Sequence, residues 1–215
     1  MKESSPILSI VVPVYRSQNM LRELYERVIA SLLDTDFELI LVEDCGGDDS
    51  WRVIKELSQS DSRVKGYQLS RNFGQGCATL CGVEQSSGAF VVTMDDDLQH
   101  RPEDLPKLLK AILEDDSVDV VMGRPVADKE HSAFRNWGSR FLNRVNTKIF
   151  SQNDELILTS YRIMRRQIAE TMLLVNSPFP APGPIICSIT QRIKNVDVEH
   201  APRKEGQGGD RKSVV

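Results

Sequence analysis

Residues Ile7–Val14 read ILSIVVPV, an unbroken apolar and largely β-branched run. A strand with one wet face alternates apolar with polar residues. A continuous run instead predicts burial on both faces, the condition of strands in a parallel sheet covered by helices. Phe37–Val42 reads as a second buried strand, and Val64–Leu69, Ala89–Met94 and Val118–Met122 as a third, fourth and fifth strand. Helical signals fill the gaps. Within Gln18–Leu33, Leu21, Leu24, Val28, Ile29 and Leu32 fall on one face. Asp48–Leu57 carries Ser and Asp placed to cap it, Gly76–Gln85 follows, and Pro102–Leu113 opens on a proline suited to a first turn. Five strands alternating with four helices predict an α/β fold, a Rossmann-like and mostly parallel sheet with helices on both faces.

In such sheets ligands collect at the carboxyl ends of the strands. The first run ends in Pro13-Val14-Tyr15, the second in Glu43-Asp44, the third in Ser70-Arg71-Asn72, the fourth in Asp95-Asp96-Asp97 and the fifth in Gly123-Arg124. Four of the five thus bring charged groups to one edge, which points to a polar ligand there. In extended backbone Asp95 and Asp97 would share a face while Asp96 points away. Two neighbouring carboxylates repel unless a cation lies between them. A hard divalent ion such as Mg²⁺, with sites left for phosphate oxygens, is the natural occupant, and Gln99 would add a further oxygen on the same face. Gly74-Gln75-Gly76 is no dinucleotide fingerprint: it follows the third run, and Thr79 stands where the last glycine would be.

Composition removes several other classes. The net charge is -4 over 215 residues, whereas a general nucleic-acid binder would be basic. Cys45, Cys77, Cys81 and Cys187 contain no CxxC pair, against a structural zinc site. Met1–Pro6 is polar, unlike a signal peptide, and no apolar stretch approaches the ~20 residues that span a bilayer. These features predict a cytoplasmic protein. The segment Phe134–Phe150, FRNWGSRFLNRVNTKIF, places Phe134, Trp137, Phe141, Leu142, Val145 and Ile149 on one stripe with Arg135, Arg140, Arg144 and Lys148 beside or opposite it. Pattern alone fits an interfacial helix and an ordinary amphipathic core helix equally.

The segments VVPVYRS, LVEDCGGDDS, LSRNFGQGCA, MDDDLQHRPED, FRNWGSRFLN and LTSYRIMRR together resemble glycosyltransferase family 2. Within it they are most similar to the polyprenyl-phosphate glycosyltransferases, of which dolichyl-phosphate mannose synthase and undecaprenyl-phosphate sugar transferases are examples. The resemblance implies a GT-A fold and an inverting, metal-dependent transfer from a UDP- or GDP-sugar to a polyprenyl phosphate, with Mg²⁺ or Mn²⁺ as cofactor. It implies that Pro13, Tyr15, Val42 and Asp44 frame the base and ribose, and that Arg71 and Arg124 lie against nucleotide and phosphates. Asp95, Asp96 and Asp97 would hold diphosphate and metal, with Gln99 as a further metal ligand; Asp97, Asp95 and Arg124 would form the catalytic set. Arg135, Ser139 and Arg203 match acceptor-phosphate positions, which favours the interfacial reading of 134–150 and peripheral contact at the cytoplasmic face of the membrane. Residues 1–130 would form the nucleotide-sugar half, 131–200 the acceptor half of the same domain, and 201–215 a basic tail leading toward transmembrane helices in relatives. A homo-oligomer is left open.

Several positions depart from the family pattern. Arg16-Ser17 replace the usual Asn-Glu after VPVY, and Gly208 and Asp210 stand where the tail motif has Ser and Tyr. Some relatives carry Asp one residue before the aromatic of the Tyr161-Arg162 pair, where this chain has Ser160, preceded by Thr159. A hydroxyl acceptor needs a general base, for which Asp154 and Glu155 are candidates. A lipid monophosphate, with a second pKa near ~6, is already largely dianionic and needs none. Two other readings stay in play: transfer to a glycan hydroxyl in cell-envelope or polysaccharide synthesis, and a non-catalytic nucleotide-sugar-binding module.

Overall fold

The structure, a computed structural model, describes residues 7–126 and 156–201. Strand and helix alternate as β1 (Leu8–Val14), α1 (Leu21–Ser31), β2 (Phe37–Glu43), α2 (Ser50–Ser60), β3 (Val64–Gln68), α3 (Gln75–Glu84) and β4 (Phe90–Thr93). A 3₁₀ turn (Pro102–Asp104), α4 (Leu105–Leu113) and β5 (Val120–Val126) follow. The last third supplies β6 (Arg162–Arg165), α5 (Arg166–Leu173), α6 (Pro182–Ile189) and β7 (Ile193–Glu199).

The seven strands form one sheet in the order β3-β2-β1-β4-β6-β5-β7. β1 pairs in parallel with β2 and β4, β2 with β3, and β5 with β7. Only β6 runs antiparallel, between β4 and β5. That reversal has a consequence for the edge where strands end. At the carboxyl end of β4 the sheet receives the start of β6, and Thr93 lies opposite Arg162.

Burial on both faces, expected from the unbroken apolar runs, is what β1 and β2 show: every residue of each is buried. Alternation sorts their side chains between two cores. Leu8, Ile10, Val12, Val14, Phe37, Leu39 and Leu41 meet the apolar stripes of α1, α2 and α4. Val11, Ile40, Val42, Val91, Val120 and Met164 face α3, α5 and α6. In α4 the stripe is Leu105, Leu108, Leu109 and Ile112, a three-to-four residue spacing that keeps one face toward the sheet.

Element boundaries shifted where turn chemistry intervened. The helix expected from Gln18 begins at Leu21, because Gln18 is held in the preceding turn, its N–H donating to Asp48 Oδ2 at 3.2 Å. The expected Pro102–Leu113 helix divides into the 3₁₀ turn and an α-helix with its own early proline, Pro106. At the start of α2 the N-cap residue Asp49 makes no side-chain capping bond; Asp48, one residue earlier, accepts the Ser50 N–H at 3.1 Å.

The amino ends of the strands are closed by Glu38. It accepts from Ser9 Oγ (2.6 Å), Lys65 Nζ (2.6 Å), Ser87 N (2.6 Å) and Ser87 Oγ (2.9 Å). Burial pushes its pKa up, but these donors outweigh burial and hold it below the usual value. No helix among the described residues is long and apolar enough to cross a membrane.

Candidate active site

The loops leaving β1, β2, β3 and β4 surround a cleft of about 710 Å³ at the carboxyl edge. Pro13, Tyr15 and Arg16 come from the first, Asp44 from the second, Asn72, Gly74 and Gln75 from the third, and Asp95, Asp96 and Asp97 from the fourth. Three non-glycine residues take left-handed backbone here: Arg16 (φ 57°), Cys45 (φ 53°) and Leu98 (φ 62°). Each follows closely on a strand. Such conformations cost roughly 1 kcal/mol or more and persist where surrounding contacts enforce them.

The carboxylates have different tasks. Asp44, almost wholly buried, accepts the Phe73 N–H at 2.7 Å and the Gly74 N–H at 2.8 Å, one on each oxygen. It thereby fixes the turn before α3, in which Gly74 takes φ 93°. Burial raises its pKa, and the two N–H donors work the other way. Asp96 turns toward β1. Its Oδ2 accepts the Tyr15 N–H at 3.0 Å and the Ser17 hydroxyl at 2.5 Å. Desolvation is the main reason its pKa is pushed up to about 6, opposed by those two donors and reinforced by the charges of Asp95 and Asp97.

Asp95 is held from both sides, by Gln75 Nε2 at 2.6 Å and Ser160 Oγ at 2.7 Å. Its own N–H donates to His100 Nδ1 at 3.1 Å, so Nδ1 is the unprotonated ring nitrogen there. His100 stacks on Tyr161, ring centroids 5.0 Å apart, and burial lowers its pKa. Asp97 Oδ1 accepts the Gln99 N–H at 3.1 Å.

No group of three or more His, Cys, Asp and Glu side chains among the described residues is gathered to enclose a metal. A Mg²⁺-type ion at a phosphate site needs only one or two carboxylates, the rest being water and phosphate oxygens. Asp95 and Asp97, both on the cleft wall, fit that smaller requirement.

The chain matches the model of the family described as "Glycosyl transferase family 2" over residues 9–173. The chain belongs to glycosyltransferase family 2. Two relatives are undecaprenyl-phosphate 4-deoxy-4-formamido-L-arabinose transferases. The one from Pseudomonas syringae pv. syringae (strain B728a) is 34% identical over 205 residues, 93% of this chain and 59% of that protein. The one from Proteus mirabilis (strain HI4320) is 32% identical over 202 residues, 93% of this chain and 61% of that one. The chain therefore spans about three fifths of the length of these relatives.

Among solved structures, glucosyl-3-phosphoglycerate synthase from Mycobacterium tuberculosis in complex with Mn²⁺, UDP and phosphoglyceric acid superposes with a TM-score of 0.69 at 16% identity. That match covers 94% of this chain and 72% of the other. S. aureus TarS 1–349 in complex with UDP gives a TM-score of 0.62 at 20% identity, covering 89% and 60%. The fold is GT-A, as the family resemblance implied.

Within this family 2 member, the structure brings Pro13, Tyr15, Asp44, Asp95, Asp96 and Asp97 together at the cleft. Four other expected residues are not among those lining the cleft. Val42 is fully buried in the core beneath α3. The Arg71 guanidinium lies over the Phe73 ring, 4.4 Å from its centroid. Arg124 donates to Asp197 Oδ1 of β7 at 2.6 Å, because β5 is separated from β4 by β6. For Gln99, the strand geometry from which a shared face with Asp95 and Asp97 was expected does not extend that far. β4 ends at Thr93, and the left-handed turn at Leu98 breaks the alternation that inference required. Gln99 also gives its carbonyl to the Ala201 N–H at 3.1 Å.

Arg16 and Ser17 take up other work. Arg16 Nε donates to the Gly46 carbonyl at 2.9 Å with its guanidinium over Tyr15, and Ser17 secures Asp96. Arg135, Ser139 and Arg203, the helix read over 134–150, and Asp154 and Glu155 lie outside the described residues. Sequence reasoning missed His100 and Ser160, which hold Asp95, and Arg162 beneath them.

Proposed function

We propose that this chain carries the catalytic part of an inverting glycosyltransferase that moves a sugar from a nucleotide diphosphate to a polyprenyl-phosphate carrier. The observation that carries the reading is the pair Asp95 and Asp97 after β4, lining a cleft of about 710 Å³. Tyr15 offers an aromatic face for a base at one side of that cleft. The UDP found in TarS and the UDP and Mn²⁺ found in the mycobacterial synthase support a nucleotide and a divalent metal. The undecaprenyl-phosphate relatives support the acceptor.

A Mg²⁺ or Mn²⁺ ion held by Asp95 and Asp97 would neutralise charge developing on the leaving nucleotide diphosphate. The protein's own contribution is positioning. Gln75 and Ser160 orient Asp95, and Ser17 with the Tyr15 N–H keeps Asp96 turned aside. Asp44 fixes the turn that closes the cleft toward α3. Preorganised groups of this kind avoid rearrangement when charge develops. Ser160 stands where some relatives have a carboxylate, and its hydroxyl donates to Asp95, which makes it a poor proton acceptor. A phosphate acceptor suits such a site, since it arrives ionised.

Transfer from UDP- and GDP-sugars to undecaprenyl phosphate and to free undecaprenol, with Mn²⁺ or Mg²⁺, tests both halves. Product is expected with the phosphate alone, and Asp97→Ala is expected to abolish metal-dependent nucleotide binding as well as transfer. Equal turnover of the free alcohol would overturn the acceptor. Undiminished nucleotide binding by Asp97→Ala would sink the donor assignment.

A further inference from the structure

Beside the main cleft lies a side pocket of about 250 Å³. The two share Pro13, Gln75 and Asp95, so the pocket opens at the carboxylate proposed to face the diphosphate. At roughly 30 Å³ per water, it has room for about eight waters. That is enough for one sugar ring. One wall is Pro180–Pro182, seated firmly on the start of α3: a Cβ on Gly76 would fall 1.9 Å from the Pro180 carbonyl oxygen.

The pocket includes Arg162, only 5% exposed. Its Nε donates to Thr93 Oγ1 at 3.0 Å, while the Thr93 hydroxyl donates to the Ser160 carbonyl at 2.6 Å. The guanidinium is thus anchored on one side. On the other, Nη1 is buried and has no hydrogen-bond partner. A buried charged donor left without an acceptor costs more than an ordinary hydrogen bond contributes, and Arg162 lines the pocket in which a ligand would supply that acceptor. Gly183 in the first turn of α6 keeps the space beside Nη1 open, since a Cβ there would lie 3.5 Å from it.

We propose that Arg162 is a specificity-determining residue, its Nη1 donating to an oxygen of the donor's sugar, ring hydroxyl or acyl carbonyl, held in this side pocket. The inference rests on the nucleotide-sugar reading of the main cleft. A sugar oxygen is favoured over the acceptor's phosphate because Arg162 is the one cation among the described residues lining the pocket. A phosphate is usually gripped by several charged or N–H donors, whereas one sugar oxygen needs a single donor. Charge persists on Arg162 at neutral pH, since burial lowers its pKa only to about 10.

The test compares nucleotide with nucleotide sugar by calorimetry in Mn²⁺. UDP, GDP, UDP-glucose, UDP-N-acetylglucosamine, UDP-glucuronate and GDP-mannose are titrated into wild type, Arg162→Lys and Gly183→Ala. Wild type is expected to bind at least one sugar conjugate more tightly than its bare nucleotide. Arg162→Lys should lose that gain by tenfold or more, with bare-nucleotide affinity held within about twofold. Gly183→Ala places a methyl in ordinary contact with Nη1 without disturbing the core, and should lose part of the same gain. It keeps the test decisive if Arg162→Lys fails to fold. Equal losses for nucleotide and conjugate, unchanged preference among sugars in Gly183→Ala, or a defect confined to the KM for undecaprenyl phosphate would each overturn the assignment. Absence of any nucleotide binding by wild type would instead refute the donor reading, and this inference with it.

Discussion

At Asp44 each carboxylate oxygen accepts one backbone N–H, from Phe73 and from Gly74. An isosteric asparagine would turn an NH₂ toward one of those N–H groups, leaving a buried donor facing a donor. That mismatch costs about 1–3 kcal/mol. Asp44→Asn is therefore expected to lower the urea midpoint by that equivalent at an unchanged slope, and a midpoint equal to wild type would show that the turn before α3 does not depend on the carboxylate. The same residue illustrates what a sequence can convey. An acidic residue after a buried strand signals a site, and Asp44 does line the cleft. Its hydrogen-bond partners lie 29 and 30 positions away, and nothing local in LVEDCGG names them. Arg162 is the opposite case. Arginine reads as a surface residue by habit, and only a sheet that sets Arg162 against Thr93 makes it a buried one.

At the scale of elements, α1 is joined to the 3₁₀ turn by Arg27 and Glu103, whose two oxygens accept from Arg27 Nε at 2.8 Å and Nη2 at 2.7 Å. The Arg27 hydrogen bonds hold the Glu103 pKa down at about 2, below its ordinary 4.5. A depressed carboxylate contributes stability that is present above 4.5 and lost as pH falls toward 2. Stability measured from pH 5 to 2 should therefore decline less steeply in Glu103→Gln than in wild type. The two curves should differ at pH 5 by no more than about 1 kcal/mol, because the pair is partly exposed and screened. Parallel curves would show that the pair contributes nothing to folding.

The elements legible from sequence were β1 through β5 and the helices between them, β3 (VKGYQ) by its place in the alternation more than by any apolar run. β6 and β7 were not. YRIMRR places three arginines in and around a four-residue strand, and IKNVDVE mixes charges into the sheet edge at β7. Neither carries the continuous apolar run that marked β1, and both owe their place to partners already in the sheet.

For the whole molecule, the sheet is continuous only because the last third of the chain returns to it. β5 touches β4 through β6 alone, and on its other side lies β7. Residues 1–126 expressed alone would hold β5 with no strand neighbour and leave one edge of β4 bare. That fragment is expected to lack cooperative unfolding by circular dichroism and to exchange the amides of Val120–Val126 without protection. A sharp thermal transition in the fragment would show that the amino-terminal segment is an independent folding unit.

The antiparallel β6 also sets a schedule for biosynthesis. A ribosome adding about 5–20 residues per second delivers Arg162 roughly two to seven seconds after Val126. During that interval Val120, Val121 and Met122, fully buried in the finished protein, lack both of the strands that flank them among the described residues. The nascent chain thus carries a sticky segment for a fixed time that codon usage can lengthen or shorten. Slow translation between β5 and β6 would raise its demand for chaperones, even though no residue of the site has changed.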